Sequence, residues 1–259
     1  MTLNLGVIVI VSLVALLIGL SKGGMGAVLG VLATPLLSQV MPVANAISLA
    51  LPLLLVGDAF ALWLYWNKWE WRYIRLLMPA AIAGIIAGTL LLTVLDDVTM
   101  RRVLALFTLG FVVYKVWGEK HIGTRYTPHD WHGAVAGGAS GFGSALANVG
   151  GPPFTAYMLL QNLSPIVFVG TTTLFFAIMN ALKLGLFAVV DAADIPGLAA
   201  RNLFNLSPLV EAWWVLPIIP AGVWLGRYLV RRIDKLSFER VTLVVLVIVA
   251  LVLLFVPPR

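Results

Sequence analysis

The sequence predicts an all-α polytopic membrane protein with two inverted repeats, each a broken helical hairpin plus three transmembrane helices, giving about 8–10 membrane segments. Three observations predict this fold: an apolar composition, a register shared by the two halves, and an uneven distribution of positive charge. Apolar residues make up 61% of the 259 residues and charged residues 11%, whereas soluble domains are about half apolar and a quarter charged. A soluble core of this size needs a polar shell, so lipid is the solvent that suits this chain.

Apolar runs separated by polar breaks define the candidate membrane segments, because a spanning helix needs about 20 apolar residues. The runs lie at 3–20, 24–38, 43–65, 76–95, 99–117, 132–147, 149–162, 165–190, 210–231 and 237–256. Two pairs of runs, 3–20 with 24–38 and 132–147 with 149–162, are short and rich in glycine or proline. We expect each pair to form a hairpin or two short spans.

The two halves share five residues in ungapped register, each pair differing by 138 positions. The pairs are Pro79 and Pro217, Gly84 and Gly222, Gly88 and Gly226, Asp96 and Asp234, and Arg102 and Arg240. This register predicts an internal duplication, with a first membrane repeat at 1–120, a cytoplasmic linker at 121–131 and a second repeat at 132–259. The alternative is coincidence, because Gly-x-x-x-Gly and terminal arginines are common in membrane helices.

Positive charge orients the predicted repeats. With an odd number of crossings per half, one side of the membrane receives Lys68, Arg72, Arg75, Lys115, Lys120, Arg125, Arg227, Arg231, Arg232, Lys235 and Arg240. The other side receives only Arg101, Arg102, Arg201 and Arg259. With an even number of crossings per half, the positive charges would be divided almost equally between the two sides of the membrane. The positive-inside rule therefore predicts a cytoplasmic basic side, periplasmic termini and inverted repeats, a common plan among secondary transporters.

Glycine-rich breaks at matching places in two halves are the best sequence indication of a transport site. A broken helix leaves N–H groups unpaired within the membrane, and these groups and the helix dipole favour an anion. The predicted substrate-binding residues are Lys22, Gly23, Gly24, Gly26, Gly141, Gly143, Asn148, Gly150, Gly151, Thr171 and Thr172. The alternative is that the glycines only allow close helix packing and the neutral donors only join helices.

Three charged side chains interrupt apolar segments. Lys22 lies at the first hairpin turn, where it either complements an anionic substrate or extends its ammonium to the membrane surface. Lys183 lies in the run 165–190 and Asp58 in the run 43–65, where charges are costly and usually functional. We expect Asp58 and Lys183 to pair with each other, bind substrate or carry a coupling proton.

Other chemistries lack a motif. The chain has no cysteine, and His121, His129 and His132 do not match a zinc-binding pattern. Residues 19–23 (Gly-Leu-Ser-Lys-Gly) have the Gly-x-Ser-x-Gly spacing, but they follow an apolar helical run and not the strand that a nucleophile elbow needs, and no Walker sequence occurs. The net charge of +6 is explained by membrane topology without nucleic-acid binding. We therefore predict no catalytic residue, no metal and no organic cofactor. The predicted partners are a small anion, the lipid bilayer and a second copy of the chain.

The chain resembles the TauE/SafE family of sulfite and organosulfonate exporters over essentially its whole length. The matching motifs are Gly-Leu-Ser-Lys-Gly-Gly-Met-Gly (19–26) followed by Pro35, Gly-Phe-Gly (141–143), Asn-Val-Gly-Gly-Pro-Pro (148–153) and Gly-Thr-Thr-Thr (170–173). The resemblance implies a carrier in the bacterial inner membrane that exports sulfite, sulfoacetate or a related organosulfonate, driven by an ion gradient. The alternatives are a channel for small anions and a membrane-embedded enzyme.

Overall fold

The structure is a computed structural model that describes residues 5–25, 27–113, 116–117, 129–161, 163–193, 204, 207–229 and 235–255. All regular elements of these residues are helices, which confirms the all-α prediction. Gly26, Asp234, residues 121–128 of the predicted linker and both chain ends lie outside the described residues.

The first half of the chain begins with a helix that breaks and turns. Its elements are α1 (Leu5–Leu20), a turn at Ser21–Met25, α2 (Ala27–Val31), α3 (Ala33–Leu37), α4 (Val43–Leu64), α5 (Trp71–Val94) and α6 (Asp97–Val113). The predicted segment 24–38 is therefore two short helices. Pro35 explains the break between them, because proline has no N–H to donate to the carbonyl four residues earlier.

The second half also begins with two helices separated by a break. Its elements are α7 (Asp130–Ala147), α8 (Gly151–Leu159), α9 (Pro165–Ala192), α10 (Ser207–Glu211), a short 3₁₀ turn (Trp213–Val215), α11 (Ile218–Leu229) and α12 (Lys235–Phe255). The predicted segment 210–231 is divided near Pro217 and Pro220, which both lack the N–H that a continuous helix needs.

Among the described residues, four stretches of helix are long and apolar enough to cross a membrane. They are Leu5–Gly24, Val43–Leu64, Trp71–Leu92 and Ile166–Ala192, and a shorter apolar stretch covers Leu246–Phe255. Several of their large apolar side chains are exposed, among them Leu90 on α5 and Val189 on α9. In a membrane these exposed side chains would contact lipid and not water, which agrees with the predicted polytopic membrane class.

The closest helix pair consists of α5 and α7, whose backbones meet at glycine. A Cβ atom built on Gly84, Gly88, Gly137 or Gly141 would collide with backbone atoms of the facing helix. Small residues four apart allow such approach in membranes, where packing replaces the hydrophobic effect as the driving force.

A second pair, α1 with α11, packs in the same way. Gly19 and Gly23 of α1 and the turn after it face Gly222 and Gly226 of α11, and a Cβ atom on any of the four would meet the opposite backbone at 3.0 Å or less. The remaining principal contacts join α4 to α9 and α6 to α12.

The α7–α8 hairpin returns to the side from which it starts. Arg72, in the first turn of α5, pairs with Asp130 at the start of α7 at 3.6 Å. The neighbouring Tyr73 hydroxyl lies 3.4 Å from Oε1 of Gln161, just after the end of α8. Both ends of the hairpin therefore lie beside the start of α5, and the break between α7 and α8 lies at the opposite end of α7, about 27 Å away.

Candidate functional site: a buried charged cluster at the helix breaks

The first part of the cluster is an ion pair between a helix break and a spanning helix. Lys22, in the turn after α1, donates through Nζ to Oδ1 of Asp58 on α4. Asn180 of α9 donates through Nδ2 to the other carboxylate oxygen at 2.7 Å. The side chains of Lys22 and Asp58 are 14% and 2% exposed. Such a pair persists in an apolar interior only when both charges are matched and the remaining lone pairs are occupied.

Local backbone features place Lys22 against α4. Gly24 has a φ of 116°, a left-handed conformation that glycine adopts without a Cβ clash. Gly57, next to Asp58, also helps to place Lys22 against α4. A Cβ atom on Gly57 would lie 3.2 Å from Cγ of Lys22, so its absence lets the lysine stem run along α4. The Lys22 ammonium also lies 5.7 Å from the centre of the Phe176 ring, which is a favourable cation–π arrangement.

The second part of the cluster surrounds Lys183, whose residue exposure is zero. Its Nζ donates to the Ser144 carbonyl at 3.0 Å, to the Ser144 hydroxyl at 3.1 Å and to Oδ1 of Asn148 at 2.5 Å. Three acceptors match the three N–H donors of an ammonium group. The end of α7 therefore provides the solvation that this side chain lacks inside the membrane.

Asn148 links the break after α7 to the short helix α3. It ends α7 in a left-handed conformation, with a φ of 57°, which asparagine tolerates at a helix C-terminus. Its Nδ2 donates to the Thr34 hydroxyl on α3 at 2.7 Å, while its Oδ1 accepts from Lys183. One side chain thus connects α7, α9 and α3.

Most of the predicted glycines lie against backbone. A Cβ atom on Gly23 would meet α11, and one on Gly141 would meet α5. On Gly143 it would lie 2.7 Å from the Val149 carbonyl, and on Gly150 it would lie 2.6 Å from the Ser140 carbonyl. Gly24 differs, because its nearest neighbour would be the Tyr65 hydroxyl at 3.7 Å. Close packing explains four of these glycines, and Gly26 lies outside the described residues.

The start of α8 offers fewer free amides than the glycine pattern suggests. Gly150 caps the helix and Gly151 begins it, followed by Pro152 and Pro153. The first four N–H positions of a helix have no partner within the helix, but the two prolines carry no N–H. Gly150 and Gly151 are therefore the residues that can present amides here, next to Ser144, whose Cβ would lie 3.0 Å from a Cβ atom on Gly150.

Thr171 and Thr172 lie away from the cluster, near the start of α9. Thr171 donates to the Val167 carbonyl at 2.7 Å and accepts the Glu70 N–H at 2.9 Å. Thr172 donates to the Phe168 carbonyl at 2.7 Å. Twelve residues separate Thr171 from Lys183, which is about 18 Å along a helix. Their observed hydrogen bonds are local or join α9 to the loop between α4 and α5.

The structure also changes the expected pairing of charges. Asp58 pairs with Lys22 instead of with Lys183, and Lys183 binds neutral oxygens. Ser144 and Thr34 were not predicted as site residues. Ser144 follows the Gly-Phe-Gly motif directly, and Asn180 precedes Lys183 by three residues, a spacing that places two side chains on one helix face.

These features define a class of protein: an all-helical, multi-pass membrane protein that brings two lysines and a carboxylate together at its helix breaks, as transport proteins do. The model of the sulfite exporter family TauE/SafE matches residues 11–253, and the chain belongs to this family. The predicted resemblance is confirmed. Membership implies a membrane transporter of sulfite or organosulfonates and not an enzyme. No curated protein and no solved structure matches the chain.

Proposed function

We propose that this protein is a secondary-active transporter that exports sulfite, sulfoacetate or a related organosulfonate across the bacterial inner membrane by alternating access. The observation that supports this proposal is the buried cluster of Lys22, Asp58 and Lys183. With both lysines protonated, its formal charge is +1. An uncompensated charge inside a membrane is costly, so an anion that neutralises the cluster is stabilised there.

The anion site in this proposal lies between the two lysines. Lys22 and Lys183 supply the positive charge, Asn180 and Ser144 supply neutral donors, and the amides of Gly150 and Gly151 lie at the positive end of α8. Gly24 lies at the part of the first turn with room beside the backbone. Substrate binding requires the cluster to open, because Asp58 and Lys183 are closed off from solvent in this structure.

Asp58 is the residue at which we expect a coupling ion to act. Its carboxylate accepts from Lys22 and Asn180, so it competes with a substrate anion for the same donors. A proton on Asp58 would weaken its ion pair with Lys22, so protonation between transport steps opens the cluster, and the substrate anion binds when Asp58 is ionised. Lys183 has no carboxylate within its hydrogen-bond set and is available as the second substrate cation.

The helix contacts support the proposed inverted repeats. Exchanging α1 with α7, α4 with α9, α5 with α11 and α6 with α12 turns each principal contact into another observed contact. Asp58 and Asn180 differ by 122 positions and contact each other, and Gly19 and Gly141 share that spacing (141−19). A hairpin that returns to its own side adds no crossing, so three spanning helices per half would orient the halves oppositely.

The proposed topology has a cytoplasmic basic side and periplasmic termini. Lys68, Arg72, Arg75 and Arg227 lie at the ends of α4, α5 and α11 that this orientation assigns to the cytoplasm. The repeat boundaries at 1–120, 121–131 and 132–259 and the homodimer stay predictions. Labelling of single cysteines introduced into the cysteine-free chain, with a membrane-impermeant reagent on intact cells, tests the orientation.

Flux into and out of liposomes tests the proposed function. Purified protein is reconstituted, and the flux of labelled sulfite and sulfoacetate is measured with a pH gradient, with a potassium diffusion potential and with neither. We expect saturable transport with counterflow. Moving one elementary charge across 100 mV is worth about 2.3 kcal/mol, so the two driving forces are separable. Unsaturable conduction at far higher rates would favour the channel.

Lys22→Ala tests the site itself, and Lys68→Ala is its matched control because Lys68 is an exposed lysine in the loop between α4 and α5. We expect Lys22→Ala to abolish saturable transport and Lys68→Ala to preserve it. Undiminished anion transport by Lys22→Ala would refute the proposed site.

A further inference from the structure

We infer that the charged cluster selects monoanions, such as hydrogensulfite and monosulfonates, over dianions of the same shape. This inference rests on the proposed function and narrows its substrates to hydrogensulfite and monosulfonates, because sulfoacetate carries two negative charges at neutral pH. It follows from the charges that the helices bury together.

The charge of the cluster depends on the charge state of the two lysines. Lys183 donates to three oxygens, two of which, the Ser144 carbonyl and Asn148 Oδ1, can only accept. A protonated amine donates to all three oxygens, whereas a neutral amine would donate to two of them and accept from the Ser144 hydroxyl; the charge of the cluster is counted for the protonated form. Lys22 faces the Asp58 carboxylate as an ion pair. Two cations and one anion give the cluster a formal charge of +1.

Another buried charge near the first hairpin, Arg101, is held at the end of α3. Arg101 is also buried, at 7% exposure, but its Nη1 donates to the Ser38 carbonyl at 3.0 Å. Ser38 lies just beyond the end of α3, where carbonyl groups favour a cation. Among the described residues, the other side chains that contact the cluster are neutral: Asn180, Asn148, Ser144 and Phe176.

A bound anion changes the total charge of the cluster. A monoanion brings the cluster to neutrality, whereas a dianion leaves one negative charge beside Asp58 in apolar surroundings. Asp58 is 1% exposed as a residue and Lys183 is fully buried, so solvent screens these charges weakly. Once a first negative charge has neutralised the cluster, a second one gains little net attraction from the lysines, and its repulsion from Asp58 at about 8 Å, in an effective dielectric constant near 20, corresponds to roughly 30-fold in binding.

Methanesulfonate and sulfate provide the test, because both are small and tetrahedral, they differ by one charge, and neither titrates near neutral pH. Each competes with labelled hydrogensulfite for uptake into liposomes that contain the purified protein. We expect the wild-type protein to be inhibited at least roughly 10-fold more strongly by methanesulfonate than by sulfate. Equal inhibition by the two anions overturns the inference.

Asp58→Asn raises the formal charge of the cluster to +2 and should shift the inhibition ratio toward sulfate roughly 30-fold. Glu70→Gln is the matched control, because it removes one carboxylate from an exposed loop position and should leave the ratio unchanged. The ratio reports only on active molecules, so a lower yield of folded Asp58→Asn does not alter it. An unchanged ratio, or a folded Asp58→Asn protein that binds neither anion, overturns the inference.

A second variant tests the inference if the Asp58→Asn protein does not fold. Asn148→Asp places a carboxylate oxygen where the Asn148 amide oxygen already accepts from Lys183, brings the formal charge to zero at almost constant shape, and should weaken inhibition by methanesulfonate roughly 30-fold. Full inhibition of that variant also overturns the inference. The outcomes separate this inference from the proposed function. A wild-type protein that moves no sulfur oxyanion refutes the function, whereas one that moves hydrogensulfite but accepts sulfate equally refutes only the charge selection.

Discussion

Replacing Lys22 with methionine removes the cation that faces Asp58 and retains much of the apolar stem. Asp58 is then left 1% exposed, with the Asn180 amide at 2.7 Å as its remaining donor among the described contacts. We expect a marked loss of stability, because a buried charge without its partner recovers little solvation. The effect should disappear when the carboxylate is also neutralised, which makes a double-mutant cycle the appropriate design.

The loss of unfolding free energy in Lys22→Met can be estimated from the contacts that Asp58 loses and keeps. Breaking a buried ion pair by removing one partner destabilises proteins by about 3–5 kcal/mol. The Asn180 hydrogen bond to the carboxylate remains in the variant, and bonds to charged groups contribute about 1.5–3 kcal/mol. We therefore expect Lys22→Met to lose about 3 kcal/mol. Adding Asp58→Asn should recover most of this loss, because the side-chain oxygen of the introduced asparagine can still accept from Asn180.

Denaturant unfolding in detergent micelles measures the four free energies, and flux into liposomes measures function in parallel. The double variant should regain stability but not transport, since Lys22 is a proposed substrate cation. Equal stability of Lys22→Met and the wild-type protein would show that the pair is not buried as described. A double variant that stays as unstable as the single one would show that Asp58 is not the source of the loss.

Two further predictions concern glycine packing and the link between the hairpins. Gly141→Ala should lower the free energy of unfolding by more than about 1 kcal/mol, because its Cβ would collide with the α5 backbone. Gly185→Ala, which would meet nothing within 4 Å, should raise it by up to about 1 kcal/mol; a matching loss at both positions in thermal unfolding would contradict this account. Thr34→Val should cost about 1 kcal/mol by removing one hydrogen bond. Asn148→Ala should cost more, because it also deprives Lys183 of an acceptor, and the reverse order in denaturant unfolding would rule out the described linkage.

The sequence predicts the helices well because apolar runs and proline breaks are local features. The predicted run 43–65 corresponds to α4 (Val43–Leu64), and the run 132–147 to α7 (Asp130–Ala147). The hairpin α7–α8 also follows from its Gly-Pro break. The family is predicted from the order of the glycine-rich motifs in the two halves, and the family model matches residues 11–253.

The pairing of side chains could not be predicted in the same way, because it depends on contacts between distant segments. Lys22 and Asp58 are 36 positions apart, and Asn148 and Thr34 are 114 apart. Glycine patterns are ambiguous for a different reason, because both a substrate and a neighbouring helix need an absent side chain. At Gly141 the neighbouring helix occupies that space.

The glycine contacts also determine which parts of the molecule can move. Where α5 meets α7, and where α1 meets α11, main chain lies on main chain with no layer of side chains that could change rotamer. If one helix of a pair shifted by one residue along the other, a Cβ atom would collide with a backbone carbonyl. We therefore expect each helix pair to move as a rigid body. Each block takes one member from either half of the chain, so the surfaces between the blocks do not follow the boundary between the two predicted repeats. The interface between α4 and α9, where Asp58 contacts Asn180, is then the one at which we expect the blocks to separate.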